Sequence, residues 1–407
     1  MKRDRCILCD EERLVKILPM RPSPIADAFV CEKVEQELIP LDLYQCGKCG
    51  HTQNIDRVDP ERLFRKYLFT TKSSPYLVKH FAAYAEEAVK RFSLPPQAFV
   101  CEIGSNDGTL LQFFKEKKMS VLGVDPAVEI ANLATGQNIP TIPDFFSSIL
   151  AASIKKEKGV AKLIVANNVY AHTDRLRDIT KGIELLLDDD GVFIFEVSYL
   201  LDIIDNFLFD TIYHEHLCYH SITPLIPFFQ GLGLELFSVE RIPSKGGSIR
   251  AFVQKQGGPH KKEAVIDQMV ENEKKRGLHL PEIFRRFYQD INKKKGALLE
   301  AIARAESEKK QIVGYGASNT VTTLIYQFEL EKRLTYLVDD NVKKHHLFSP
   351  GAHLKVFPSK ALYENFPALV ILLAWQYATP ILQKHSQFIE NGGVFIIPLP
   401  TLQIIKK

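Results

Sequence analysis

The sequence has no apolar run of membrane-spanning length: the longest, Ala368 to Trp375, falls far short of the roughly 20 residues a bilayer needs. The basic start MKRDRCILCDEE lacks the apolar core of a signal peptide, so neither export nor membrane insertion is expected. Charge of one sign is also missing. Interspersed, 52 basic and 49 acidic side chains sum to +3, which is no electrostatic footprint for nucleic acid. The Lys-rich pieces at 155–159 and 292–296 read as solvated faces. No close repeat or low-complexity tract is evident. The seven cysteines are an odd number, which argues against an extracellular disulfide framework and for a reducing cytoplasm, with Cys31, Cys101 and Cys218 as free thiols.

At 407 residues, 45% hydrophobic and 25% charged, the chain is globular and long enough for two or three domains. Residues 1–60 read as a small metal-pinned unit. Residues 61–260 open with helical periodicity, broken at Ser-Ser-Pro, and continue as strands alternating with helices. The strands are AFVCEI from Ala98, SVLGVD ending at Asp125, KLIVANN ending at Asn167 and Asn168, and GVFIFEVSY from Gly191 after the helix RLRDITKGIELLLDDD. Such alternation predicts a mostly parallel sheet covered on both faces. LELFSVERIP and GGSIRAFVQK are expected on the other margin of that sheet. A helical connection fills 261–309, and 310–407 returns to a Rossmann-like α/β pattern. The expected fold class is α/β, with a Rossmann-like domain between a small metal-pinned N-terminal unit and a C-terminal Rossmann-like α/β domain.

Two Cys-x-x-Cys pairs, Cys6/Cys9 and Cys46/Cys49, are zinc-knuckle half-sites: a two-residue spacer lets each pair wrap one ion, and four thiolates complete a tetrahedron. With no position left for water, such a zinc is structural. Redox chemistry and unrelated thiols are the competing readings.

The turn after the first sheet strand is Glu102-Ile103-Gly104-Ser105-Asn106-Asp107-Gly108. Gly104 permits the tight turn and Gly108 a close helix approach, while Asp125 closes the next strand where a carboxylate can receive ribose hydroxyls. A dinucleotide fingerprint would place a glycine where Asn106 stands, and the acids here would repel a pyrophosphate. They suit the sulfonium and amino group of S-adenosylmethionine, with Asn167 and Asn168 on the same sheet edge. A dinucleotide, or a turn with no ligand, is the alternative.

Tyr213-His214-Glu215-His216-Leu217-Cys218-Tyr219-His220 is dense in ionisable groups, yet it is not His-Glu-x-x-His. Acid–base chemistry, a second metal through His216 and His220, and satisfied core histidines compete for it. His172, at the same sheet edge as the cofactor, is expected to meet His216 across a pocket.

In their order these pieces resemble the nucleotide-sugar C-methyltransferase family, whose members methylate a ring carbon of dTDP-linked keto-deoxysugars. The resemblance covers almost the whole chain, through the four cysteines, CEIGSNDG, IYHEHLCYHS, SKGGSIR, GYGAS and LVDDN. It implies a structural zinc on the four cysteines, S-adenosylmethionine on the Glu102–Gly108 loop and Asp125, and His216 as base. Glu215 would support the base, with Tyr213, His172 and Tyr67 near the sugar. It further implies a grip on the nucleotide diphosphate by Tyr315, Ser318, Asn319 and Lys343 or Lys344. Oligomeric state is open from the sequence, with a monomer slightly preferred. Phe69 departs from a second tyrosine common in the family. O- or N-methylation of a related polar metabolite, an NAD-dependent oxidoreductase and a noncatalytic nucleotide-sugar binder are the alternatives.

Overall fold

The computed structural model describes every residue except Met1, Lys66 and Leu68, so the expectation of Leu68 as part of a helical stripe lies outside the described residues. Three sheets organise the chain. The first is antiparallel, Leu14–Leu18, Leu43–Cys46 and Thr52–Asn54, and its fourth strand is Cys218–Tyr219, supplied from the middle of the chain. The histidine segment is thereby stitched to the cysteine unit, Thr52 pairing with Tyr219 and Gln53 with Cys218.

The second sheet has seven strands in the spatial order Leu234–Ile242, Ser248–Lys255, Leu187–Ser198, Ala161–Asn167, Phe99–Ile103, Ser120–Val124, Thr141–Ile142. The last five are mutually parallel and the first two antiparallel, so the expected outer strands do lie at one margin. Side chains alternate across a strand, and here both faces are apolar. Val100, Leu163, Val165 and Ile194 pack with Phe81, Tyr84, Leu110 and Phe114, on the helices Pro75–Arg91 and Thr109–Glu116. On the opposite face Cys101, Ile164, Phe193 and Phe195 pack with Ala151, Ile154, Ile179 and Ile183, on Ser148–Lys158 and Leu176–Leu186. Each fully buried Leu, Ile or Phe contributes about 1.5–3 kcal/mol.

Two local expectations differ. Asp188–Asp190 were expected at the end of a helix, but the helix stops at Leu186 and they belong to the strand Leu187–Ser198. Lysines on neighbouring strands hold them there: Lys162 bridges Asp188 at 2.9 Å and also pairs with Asp190, and Lys255 reaches Asp189 at 2.9 Å. The short strand Thr141–Ile142 was not expected.

The helices Ala264–Lys275 and Pro281–Ser307 connect to a third, six-stranded sheet, parallel except for the final strand Gln403–Ile405. This C-terminal unit docks on the segment before the histidines. Trp375 Nε1 donates to Asp210 at 2.8 Å, and Thr323 Oγ1 donates to the Ile212 carbonyl at 3.1 Å. Among the described residues no helix is long and apolar enough to cross a membrane.

Candidate active site

At the carboxyl edge of the seven-stranded sheet lies a chamber of about 370 Å³, within the range of small-molecule sites. Its wall joins two groups read separately from the sequence. Glu102, Gly104, Asn106, Asp125, Asn167 and Asn168 form one side; His172, Tyr213, Glu215 and His216 form the other, and Tyr67 and Phe69 also line it.

Gly104 and Gly108 both adopt left-handed φ, +70° and +74°. A Cβ on Gly104 would come 2.2 Å from Val169 Cγ2, and one on Gly108 would come 2.9 Å from Ile139 Cγ2, so both glycines are required by packing as well as by the turn. Asn106 also has a left-handed backbone, which asparagine tolerates better than most residues. Its side chain accepts from the Thr71 amide at 2.9 Å and donates to the Phe69 carbonyl at 3.0 Å, tying that segment over the loop. Asp125 accepts the backbone amides of Asn106 and Ala127, both at 2.8 Å. A carboxylate has about four acceptor sites, so two remain for hydroxyls.

Asp107 and Gly108 are not in the chamber wall. Asp107 instead accepts from Lys72 N at 2.9 Å and Thr109 Oγ1 at 2.6 Å, bracing the helix start against the overlying segment.

Several buried polar atoms on the cofactor side have no hydrogen-bond partner: Glu102 Oε2, Ser105 Oγ and both side-chain heteroatoms of Asn167. Burial, reinforced by Asp125 and then Asp107, drives the Glu102 carboxyl well above the ordinary carboxylate range; the adjacent Asn167 amide offsets this only partly. Unmet acceptors beside a carboxyl short of positive charge fit a ligand bearing a cation and hydroxyls. That is the chemistry of S-adenosylmethionine, which Glu102, Asn167 and Asp125 would hold.

On the other side, His216 Nδ1 lies 2.7 Å from the Thr211 carbonyl oxygen. A carbonyl can only accept, so Nδ1 carries the proton and Nε2 keeps its lone pair. Burial, with Lys245 adding to it, holds the imidazole down at about 3, so the ring is neutral. His216 stacks on His172 with centroids 5.0 Å apart and contacts Tyr213 at 4.1 Å; His172 in turn stacks on Phe64 at 5.8 Å.

One expected role is corrected. Glu215 does not hold the His216 ring, because the Thr211 carbonyl does, and the Glu215 carboxylate accepts from Asn319 Nδ2 at 2.8 Å. Burial, then the nearby charge of Asp27, lifts the Glu215 carboxyl to about 7, although Lys245 and a Tyr67 hydroxyl pull it back.

The other clustered histidines are core residues: His214 Nε2 donates to the Ile39 carbonyl and His220 Nε2 to the Tyr170 carbonyl, each at 3.2 Å. Among the described residues the single group able to hold a metal is Cys6, Cys9, Cys46 and Cys49, whose sulfurs all lie within 4.8 Å of one another. Cys6–Cys49 and Cys9–Cys46 are 3.6 and 3.5 Å apart, close to the ~3.8 Å edge of a tetrahedron with Zn–S bonds of about 2.3 Å. The amides of Lys48 and Cys49 point at Cys46 Sγ, as in a knuckle. The donor set fits a structural zinc with no open position.

Of the expected C-terminal grip, Asn319 reaches the chamber through Glu215. Tyr315, Ser318, Lys343 and Lys344 are not in its wall. Tyr315 donates to Asp340 at 2.9 Å, Lys344 pairs with Asp27 over the Phe29 ring, and Ser318 and Lys343 are exposed at the surface. Lys245 and the Thr211 carbonyl were missed. The signal for Lys245 was present in Ser-Lys-Gly-Gly between two strands; a backbone carbonyl carries no signal in residue type.

Three family models match consecutive stretches: a putative zinc binding domain over residues 6–64, a methyltransferase domain over 77–239 and a C-methyltransferase C-terminal domain over 243–400. The chain is 28% identical over 406 residues to the C-methyltransferase NovU of Streptomyces niveus, covering 99% of this chain and 97% of that one. Among solved structures it is similar to magnesium protoporphyrin IX methyltransferase (ChlM) from Synechocystis PCC 6803 with bound SAH. The identity is 14%, over 44% of this chain and 83% of that chain, with a TM-score of 0.34. It is also similar to the plantazolicin methyltransferase BpumL in complex with SAH, at 11% identity over 44% and 84%, with a TM-score of 0.35.

Proposed function

We propose that this chain is an S-adenosylmethionine-dependent C-methyltransferase with a zinc-binding N-terminal domain, and that it methylates a nucleoside-diphosphate-linked 4-keto-deoxysugar; the three family models and the likeness to the C-methyltransferase NovU support the reading. The methylated atom is C3, and dTDP is the first nucleotide to try. The observation that carries the reading is the neutral His216, its Nδ1 pinned by a backbone carbonyl, in the wall that also holds the Glu102–Asp125 loop. A ring carbon becomes nucleophilic only when a neighbouring ketone can take up the electrons of its C–H bond.

His216 Nε2 removes the proton on C3, and the C–H electron pair moves into a C3–C4 double bond as the ketone oxygen becomes an enolate. The Thr211 carbonyl stabilises the resulting imidazolium, since both ring nitrogens then donate. Tyr213, its hydroxyl kept protonated by burial, and His172 donate toward the enolate oxygen. Tyr67, Glu215 and Asn319 form a second hydrogen-bonded group that positions the sugar. S-adenosylmethionine, when bound, supplies the sulfonium methyl that C3 takes up. The zinc holds the N-terminal unit and does no chemistry.

The test is incubation with methyl-labelled S-adenosylmethionine and a panel of nucleoside-diphosphate-4-keto-6-deoxysugars, followed by location of the label. Label on C3 is expected. Label on oxygen or nitrogen overturns the enolate step, and tight sugar-nucleotide binding without transfer makes the protein a binder.

A further inference from the structure

The turn that joins the two antiparallel margin strands has a backbone that most residues avoid. Lys245 has φ +52° and ψ 32°, and it is followed by Gly246 at φ +85° and Gly247 at +141°. Only glycine fits at the next two positions: a Cβ on Gly246 would meet Leu208 at 2.9 Å, and one on Gly247 would stand 2.5 Å from Asp202 Cβ. A left-handed lysine is kept where surrounding structure over-determines it, and such positions cluster at functional sites.

What the turn delivers is the lysine side chain. Lys245 lines the chamber beside His172, Tyr213, Glu215 and His216, and it also lines the small hollow behind His172 and His216. The lysine is solvent-accessible and contributes to the chamber wall. No carboxylate among the described residues pairs with its ammonium; Glu215 and Glu196 act on it only from a distance. A cation in the chamber wall with no carboxylate partner, beside the ring proposed to take a proton, is matched to an anion that forms during reaction. The proton-transfer step makes such an anion at the ketone oxygen, in a site where fixed charge acts more strongly than in water.

We infer that Lys245 is a catalytic residue of proton abstraction: its Nζ–H donates to the substrate ketone oxygen and balances the negative charge as His216 Nε2 takes the C3 proton. Atoms and electrons balance within the enzyme–substrate complex. The C–H pair becomes the new C–C π bond, the former carbonyl π pair settles on oxygen beside the ammonium, and the proton resides on His216. The inference deepens the ketosugar reading and rests on it.

The experiment follows exchange of the C3 proton with D2O by NMR, using the full-length protein with S-adenosylhomocysteine present so that no methyl is transferred. Lys245→Met is expected to slow exchange roughly 100-fold or more, with S-adenosylhomocysteine affinity and melting temperature unchanged. Lys245→Arg should retain a substantial part of the rate. Lys245→Ala should recover saturably with ethylammonium, which a purely structural loss would not do. Exchange by Lys245→Met at the wild-type rate removes Lys245 alone. Loss of exchange together with homocysteine-product binding, without amine rescue, makes it a scaffold residue. A wild-type protein that exchanges no proton on any 4-keto sugar of the panel ends both the ketosugar reading and the lysine's role.

Discussion

The cysteine cluster and the reaction chamber are both assembled from distant parts of the chain, but they differ in what they leave unsatisfied. Four sulfurs converge at near-tetrahedral spacing, with amides already aimed at one of them, so a single ion completes the set. The chamber keeps Glu102 Oε2, Asn167 and Ser105 unpaired and carries a lone ammonium on Lys245. Closed coordination serves the fold; open polar groups serve a ligand that comes and goes. The two are joined by the short strand pair Thr52–Asn54 with Cys218–Tyr219, and by Arg3 and Arg57 reaching Asp174 in the chamber wall.

Removing the zinc tests the closed side. Structural zinc can contribute about 10 kcal/mol or more to a small domain, so Cys46→Ser should lose the metal and unfold residues around both knuckles. Zinc content and thermal unfolding report this. Because the lost sheet holds Cys218–Tyr219, C3-proton exchange should fall with it, while S-adenosylhomocysteine binding at the Glu102–Asp125 loop persists. If binding vanished equally, the two regions would not be separable.

Filling the open side should behave oppositely. Glu102→Gln should weaken S-adenosylmethionine roughly 10- to 100-fold, as loss of a hydrogen bond to a charged group does, and leave the melting temperature of the free protein unchanged or higher. The sign of the pH effect follows from burial. Glu102 is raised in the free protein, a bound cation would lower it, and binding therefore releases a proton. Affinity should rise with pH until the free carboxyl is ionised, a slope that Glu102→Gln abolishes. Calorimetry in two buffers of different ionisation enthalpy measures the proton directly.

His216 sets the next expectation. An imidazole at the ordinary value near 6.5 would lose about 25-fold in free base between neutrality and pH 5. His216, held at about 3, keeps its base form there. Proton exchange should not show an ordinary histidine limb, and the contribution of Glu215, lifted to about 7, should be a step near neutrality that disappears in Glu215→Gln. The smallest effect is Asn319→Ala, which removes the C-terminal donor to Glu215 and should cost about 1 kcal/mol, seen as a few-fold rise in KM for the sugar nucleotide.

The same contrast shows what could be read from residues alone. Cysteine spacing, the Gly104 turn and the acid ending the second sheet strand speak through residue type, and the structure puts each where that type is needed. Alternating apolar strands likewise placed the parallel sheet and its antiparallel margin. What could not be read depends on direction. Adjacent side chains such as Glu215 and His216 suggest a pair, yet they diverge to Asn319 and Thr211. Asp107 looks like a cofactor residue by sequence and is a brace by geometry. The tie between Cys218–Tyr219 and the cysteine unit comes from backbone pairing, which no side chain announces.

One chamber brings the neutral His216 imidazole and the Glu102–Asp125 loop together, as the proposed proton abstraction from carbon requires. The most direct measurement of that abstraction is deuterium wash-in at C3 of the ketosugar for wild type and His216→Asn, with S-adenosylhomocysteine bound. The prediction is rapid wash-in for wild type and a loss of about 100-fold or more for the variant, at unchanged ligand affinity. Equal rates in the two proteins would contradict it.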